Sequence, residues 1–393
     1  MTKFIIGVII GAVIVWGGST LLGISGTPKD DTITIGFIGP LTGDEGNIGE
    51  NVKAAVEIAV AEVNEAGGIN GRTLEVIYED GQCTGKAASN AANKLINVDK
   101  VPVILGGACS GETLSFTEVA EETKTVVLSY CSSAPSITEA GDYIFRDYPS
   151  DAFQGEVAAG KVFTDLGKKK VAVLYANNDW GVGVKSIFIE KFEELGGVIT
   201  IDEGYDQQSR DLRTQLTKVK ETNPDLVYFI GYSEASIPGI KQAAELGINV
   251  PLFGTDAWDD PKIFREVGAA GDGVMYTVPQ TALSDEFKAK MRESTGSDDI
   301  VVCTPGAYDG IHILAGIMEK VGTDPEDIKN ELYLTTYTGG VSNEVISFDA
   351  NGDLKDASYA LKVVKDGVAT VQEDAMMEEG AIKEDGDAMM KEE

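Results

Sequence analysis

The chain predicts an α/β fold made of two doubly wound parallel-sheet lobes, and three observations carry that prediction. Short apolar runs alternate with amphipathic runs of helical period, the rhythm of parallel strands covered by helices on both faces. The series restarts after Tyr143-Ile-Phe-Arg146, and the pattern strand, helix, Gly-Gly, strand occurs twice, at Ala66-Gly-Gly-Ile69 and Leu195-Gly-Gly-Val198. With 393 residues there is room for two domains of about 150 residues each, and 46 glycines suit many tight connections.

The first series opens with the strand Thr32 to Gly39, stopped by Pro40. A helix from Ile48 to Ala66 follows, with Ala54, Ala55, Ile58, Ala59 and Val63 on one stripe and Gly67-Gly68 as its stop. Next come a strand at Leu74 to Glu79, a helix at Gly85 to Val98, a strand at Val103 to Leu105 and a fourth strand at Thr125 to Ser129. The second series reads helix Gln154–Leu166, strand Lys170–Tyr175, helix Gly181–Leu195 and strand Val198–Asp202. It continues with helix Leu212–Glu221, strand Leu226–Gly231, helix Ala235–Leu246 and strand Pro251–Gly254. A helix at Gly306 to Val321 precedes a hairpin-like segment, Val345 to Leu354, whose Asn351-Gly352 is a tight-turn signal, and Ala360 to Val364 reads as the last strand. Open parallel sheets bind ligands beyond the carboxyl ends of their strands, so two such lobes face to face make a cleft that can close.

Composition excludes several functions. A net charge of −32, from 64 acidic and 32 basic residues, argues against nucleic-acid binding, which needs a basic face. Residues 4–24 form an uncharged run behind Lys3, long enough to cross a bilayer; residues 1–27 are read as a membrane anchor or a signal segment. At the other end, residues 372–393 carry nine acidic residues and two lysines with paired methionines, and read as a disordered acidic tail. The four cysteines show no C-x-x-C spacing and the single histidine, His312, lies in an apolar helical run, so neither a zinc site nor a cofactor is expected. Near-absence of histidine also removes most nucleophile–base schemes, and no Gly-x-Ser-x-Gly or Gly-x-Gly-x-x-Gly motif is present; the chain is not expected to be an enzyme.

The segment Val103-Ile-Leu-Gly-Gly-Ala-Cys-Ser-Gly-Glu-Thr113 is the most informative for function. A buried strand empties into Gly106-Gly107, and Ser110 opens a helical pattern through Leu114, Phe116, Val119 and Ala120. Strand end, glycine turn and helix start present backbone N–H groups and the Ser110 hydroxyl to a small anion, a carboxylate above all. No Lys-Ser/Thr follows the glycines, so this is no P-loop. The competing reading is an ordinary strand-to-helix turn with a capping serine.

These residues resemble a known family. Ile35-Gly-Phe-Ile-Gly-Pro-Leu-Thr-Gly43, Val63 to Arg72, Glu79-Asp80, Gly107-Ala-Cys-Ser110, Ser129 to Pro135, Asn178-Asp-Trp-Gly181, Ile230-Gly-Tyr232 and Phe253-Gly-Thr-Asp256 resemble the branched-chain amino-acid binding proteins of ABC transporters, which have the type I periplasmic binding-protein fold. The match spans about residues 31–366. It implies that Ser110, the backbone of Cys131 and the hydroxyl of Ser133 hold an α-carboxylate on one lobe. On the other, Asp256 grips the ammonium while Trp180 and Tyr232 cover it, and the competing role for Asp256 is a helix cap. Ile48 stands where the family often has an aromatic residue, and Asp256 where relatives often have Glu. The resemblance also implies a Cys83–Cys109 disulfide and leaves Cys131 and Cys303 with a second bridge open.

The implied lobes are residues 31–148 with 280–338 and residues 149–279 with 339–371, joined by a three-segment hinge near 147–151, 277–281 and 337–341. The implied function is extracytoplasmic capture of an amino acid and its delivery to ABC permease subunits, the protein being tethered through residues 4–24 or released if they are cleaved. A ligand-sensing receptor ectodomain for amino acids, amides or small carboxylates is the alternative.

Overall fold

The structure, a computed structural model, describes residues 31–372. The apolar run 4–24 and the tail from 373 lie outside them, and with them the expected anchor and disordered segment. No helix among the described residues is long and apolar enough to cross a membrane.

Strands β1 (Thr32–Gly39), β2 (Thr73–Asp80), β3 (Val103–Leu105), β4 (Val126–Ser129) and β5 (Ile144–Arg146) form one sheet, all parallel, in the order β2-β1-β3-β4-β5. Alternate side chains of these strands enter different cores. Ile33, Ile35 and Phe37 meet Val52, Val56 and Ala59 of the helix Gly46–Glu65, whereas Ile38, Ile104 and Val127 meet Ala88 and Ala92 of the helix Gly85–Lys94.

The second sheet contains β6 (Lys170–Ala176), β7 (Val198–Tyr205), β8 (Leu226–Ile230), β9 (Leu252–Gly254) and β10 (Met275–Pro279), again parallel. A small ribbon of β11 (Thr336–Thr338) and β12 (Val345–Ser347) follows, and then β13 (Tyr359–Lys365) and β14 (Val368–Val371) extend the second sheet antiparallel. Its order is β14-β13-β10-β9-β8-β6-β7. Numbered within each lobe, the five parallel strands therefore have one order, 2-1-3-4-5, in both sheets. That order places a topological switch point beside the first strand of each, the place where doubly wound sheets bind ligands.

Three details differ from the sequence reading. The helix expected from Ser110 through Ala120 is broken into Ser110–Leu114 and Thr117–Thr123. Between them Ser115 Oγ donates to the Glu112 carbonyl at 2.7 Å and Phe116 turns into the core. The segment Val345 to Leu354 is not a regular hairpin: β12 pairs with β11, and only a bridge from Phe348 to Leu354 crosses the Asn351-Gly352 turn.

The third difference concerns the lobe boundary. Ile346, Phe348 and Leu354 belong to the first lobe's core, and Asp353 takes Arg146 of β5 at 2.7 Å, so this stretch stays with the first lobe. The chain passes between the sheets at residues 147–150, 280–284 and 355–358, the last of these later than the expected 337–341. The second and third passages bond to each other through Gln280 N–H to the Ser358 carbonyl, 2.8 Å.

Candidate ligand-binding cleft

The loops at the carboxyl ends of β3 and β4 are locked together before they present anything to a ligand. Gly106 runs at φ +146°, and a Cβ there would sit 2.3 Å from the Ile38 carbonyl oxygen, so only glycine lets the turn pass. Ser129 Oγ and Ser132 Oγ donate to the Gly107 carbonyl at 2.8 and 3.1 Å, and Thr113 Oγ1 lies 2.8 Å from Ser132 Oγ. The buried Glu112 carboxylate accepts the N–H groups of Ala108, Cys109 and Cys83 at 2.9, 3.0 and 2.9 Å. Burial raises this carboxyl to about 7 even against those three donors. The Cys83–Cys109 disulfide ties the same turn to the loop after β2. Cys131 and Cys303 form a second disulfide across 172 residues, which settles the pairing the sequence left open.

Ser110 Oγ accepts the Ala134 N–H at 3.1 Å, a bond that does not use the hydroxyl's own proton. Its helix has only five residues, so a macrodipole contributes little here, and what the turn can offer a ligand is its hydroxyls and amides.

On the second lobe, Asn178 Oδ1 accepts the Gly181 N–H at 2.8 Å and starts the helix Asp179–Glu194, which fixes Trp180 in its first turn. The indole stacks on Tyr232 with ring centroids 4.4 Å apart. Asp256 follows β9. It is not the cap of the next helix: Asp260 fills that role for Pro261–Val267, accepting the Lys262 N–H at 2.9 Å.

All six residues singled out by the sequence converge on one cavity between the lobes. Ser110, Cys131 and Ser133 line it from the first lobe, together with Ile48, Ala108, Cys109, Val301, Val302 and Cys303. Trp180, Tyr232 and Asp256 line it from the second, with Ser233, Ala257, Asp259 and Asp260. No lysine or arginine is among these residues.

The sequence reading missed Asp151, which is fully buried behind this wall at the start of the helix Asp151–Gly160. Its N–H donates to the Ser133 carbonyl at 2.7 Å, while neither carboxylate oxygen has a hydrogen-bond partner among the described residues. Burial and then the nearby Asp256 charge push its carboxyl well up; Ser133, Arg146 and Trp180 oppose that shift. Asp256 is also pushed up by burial, although the Tyr148 hydroxyl donates to it. Arg146 does not neutralise the pair, because its guanidinium is bound in bidentate fashion to Asp353 at 2.7 and 2.8 Å and to the Ala134 carbonyl at 2.9 Å. Two buried carboxylates opposite a set of hydroxyl and amide donors are complementary to a cation joined to an anion.

The lobes also meet at the mouth. Arg210 reaches Asp44 at 2.7 Å, and Asn47 Nδ2 donates to Asp260 at 2.7 Å. Glu45 is buried at this junction, and burial followed by the Glu234 charge raises its carboxyl to about 8. Among the described residues no group of three His, Cys, Asp or Glu is placed to hold a metal ion.

Comparison with known proteins agrees with this geometry. The periplasmic binding protein family matches residues 32–368. A leucine-, isoleucine-, valine-, threonine- and alanine-binding protein of Pseudomonas aeruginosa is 30% identical over 341 residues, 84% of this chain and 89% of the relative. A leucine-binding protein of Thermotoga maritima superposes with a TM-score of 0.80 at 28% identity, covering 87% of this chain and 98% of its own. A branched-chain amino acid transporter substrate-binding protein of Streptococcus pneumoniae, solved in complex with isoleucine, gives 0.78 at 25% identity over 87% and 99%. Family, fold and cleft lead to one conclusion: the chain belongs to the periplasmic binding proteins, extracytoplasmic proteins that hold a solute and catalyse no reaction.

Proposed function

We propose that this protein captures a zwitterionic α-amino acid, branched-chain or closely related, and delivers it to the permease subunits of an ABC transporter. The observation that carries the reading is the polarity of the cavity: hydroxyl and amide donors at Ser110, Cys131 and Ser133 on one wall, Asp256 backed by Asp151 on the other. Each charge-assisted hydrogen bond to the ligand is worth about 1.5–3 kcal/mol. Trp180 and Tyr232 cover the ammonium, and Ile48, Val301 and Val302 receive an apolar side chain. A carboxylate lacking an amine, such as benzoate, leaves both aspartates buried without a counter-ion and is disfavoured. The names of the Pseudomonas, Thermotoga and Streptococcus relatives support the amino-acid class.

Capture proceeds by lobe closure about the three connecting segments, and the Arg210–Asp44 and Asn47–Asp260 contacts hold the closed form. Residues 4–24 tether the domain to the outer face of the cytoplasmic membrane. A thermal-shift screen of the purified protein against the amino acids tests the reading. Stabilisation by an aliphatic amino acid, lost in Ser110→Ala and Asp256→Ala, is the expected result; no response to any zwitterion overturns it.

A further inference from the structure

The Cys131–Cys303 bond sits in the cavity wall. Both cysteines line the cavity, and their Cα atoms are 5.2 Å apart. Cys131 begins the turn that ends at Ser133. Cys303 immediately precedes the helix Thr304–Val321 and follows Val301 and Val302, which line the same cavity. The stretch carrying these valines lies between the helices Asp285–Thr295 and Thr304–Val321 and belongs to neither a helix nor a strand. No sheet ladder holds it to the 131–133 turn; the disulfide is the covalent link, beside the close approach of Gly306 to the Tyr130 carbonyl. The charged residues of the cavity, Asp256, Asp259 and Asp260, all come from the opposite lobe. Beside the carboxylate-binding turn the first lobe therefore offers only sulfur and aliphatic carbon.

We propose that the Cys131–Cys303 disulfide is a specificity element, a covalent wall that sets the size of the ligand side chain and restricts it to aliphatic groups of branched-chain dimensions. It rests on the amino-acid reading above. Two sulfurs occupy the volume into which a longer or aromatic side chain would extend, and the bond prevents the Val301-Val302 segment from moving away to make room. The Cys83–Cys109 bond does different work, since it ties the Ser110 turn to the loop after β2.

Isothermal titration of the purified protein with valine, leucine and phenylalanine tests this. The wild type is expected to favour valine or leucine over phenylalanine by about tenfold or more, the discrimination a hydrophobic pocket supplies per misfit group. The C131A/C303A variant removes both sulfurs and leaves no free thiol of this pair; it should shift the ratio towards phenylalanine by about tenfold. If that variant does not fold, C131S/C303S, which also lacks the bond and replaces each sulfur by a smaller oxygen, must shift it in the same direction. A wild type that binds none of the three overturns the amino-acid reading and this proposal together. A wild type that binds leucine, with an unchanged ratio in the folded variants, overturns this proposal alone.

Discussion

Replacing Glu45 by glutamine should remove the rise of Kd with pH that this carboxyl confers on ligand capture. Glu45 precedes the helix Gly46–Glu65 of the first lobe and is only 2% exposed, within the electrostatic reach of Glu234 and Asp260 of the second lobe. Asp44 on its own lobe adds a third negative charge, and the Tyr205 and Tyr232 rings are close by. Arg210 is the cation that opposes them, and it is already shared with Asp44 and Glu234, as Lys262 is with Glu234. Burial, the largest cause, and the Glu234 charge after it raise the Glu45 carboxyl from 4.5 to about 8. With the lobes apart the side chain returns to water and to its ordinary range.

A carboxyl raised on closing favours the closed form fully below the open-state value, and that advantage is lost as pH climbs through 8. Kd should therefore rise with pH across the window from about 5 to about 8, by up to tenfold per unit for one proton taken up. At pH 7 the uptake is about 0.9 proton per ligand. Asp151 and Asp256 are common to wild type and Glu45→Gln, so the difference between the two proteins isolates the Glu45 proton. Titration calorimetry at pH 7 in two buffers of different ionisation enthalpy counts the protons directly. Wild type should take up nearly one proton more than Glu45→Gln. A Glu45→Gln profile with the same slope as the wild type rules out Glu45 as the proton acceptor.

Asp256→Asn should raise Kd by at least about a hundredfold, since breaking a buried charge pair costs about 3–5 kcal/mol. The same change should raise the melting temperature of the ligand-free protein, because it relieves the repulsion with Asp151. Asp353→Ala leaves the fully buried Arg146 without its carboxylate and should cost about 3–5 kcal/mol of stability in denaturant titration. Removing the Cys83–Cys109 bond with paired alanines should cost roughly 3 kcal/mol for a closed loop of 26 residues, read by the same titration.

Much of the fold was legible because strands buried on both faces and helices stopped by Gly-Gly leave strong local patterns. The cleft was legible for a related reason. Ser110, Ser133, Trp180, Tyr232 and Asp256 lie at or just after strand ends, where a parallel sheet must present its loops. What escaped the sequence depends on distance along the chain or on ambiguity. Asp151 follows Ser150 at a helix start, the ordinary place for an acidic residue, so nothing local separates its dipolar role from its place beside Asp256. The Cys131–Cys303 pairing spans 172 residues and has no spacing signature. The strand Met275–Pro279 and the helices Asp285–Thr295 and Pro325–Leu334 went unassigned. The two helices are rich in charge and bury few side chains, such as Phe287 and Met291 in the first of them. The late third passage could not be seen because Ile346, Phe348 and Leu354 reveal their lobe only through contacts with distant strands.

In the proposed complex one small molecule satisfies both walls, its carboxylate at Ser110 and Ser133 and its ammonium at Asp256, which Asp151 backs. Calorimetric comparison of leucine with its deaminated analogue, 4-methylpentanoate, and its decarboxylated analogue, 3-methylbutylamine, isolates each half. Leucine should bind at least about a hundredfold more tightly than either. Equal binding by 4-methylpentanoate would contradict the assignment of the aspartate wall, and equal binding by the amine would contradict that of the hydroxyl turns.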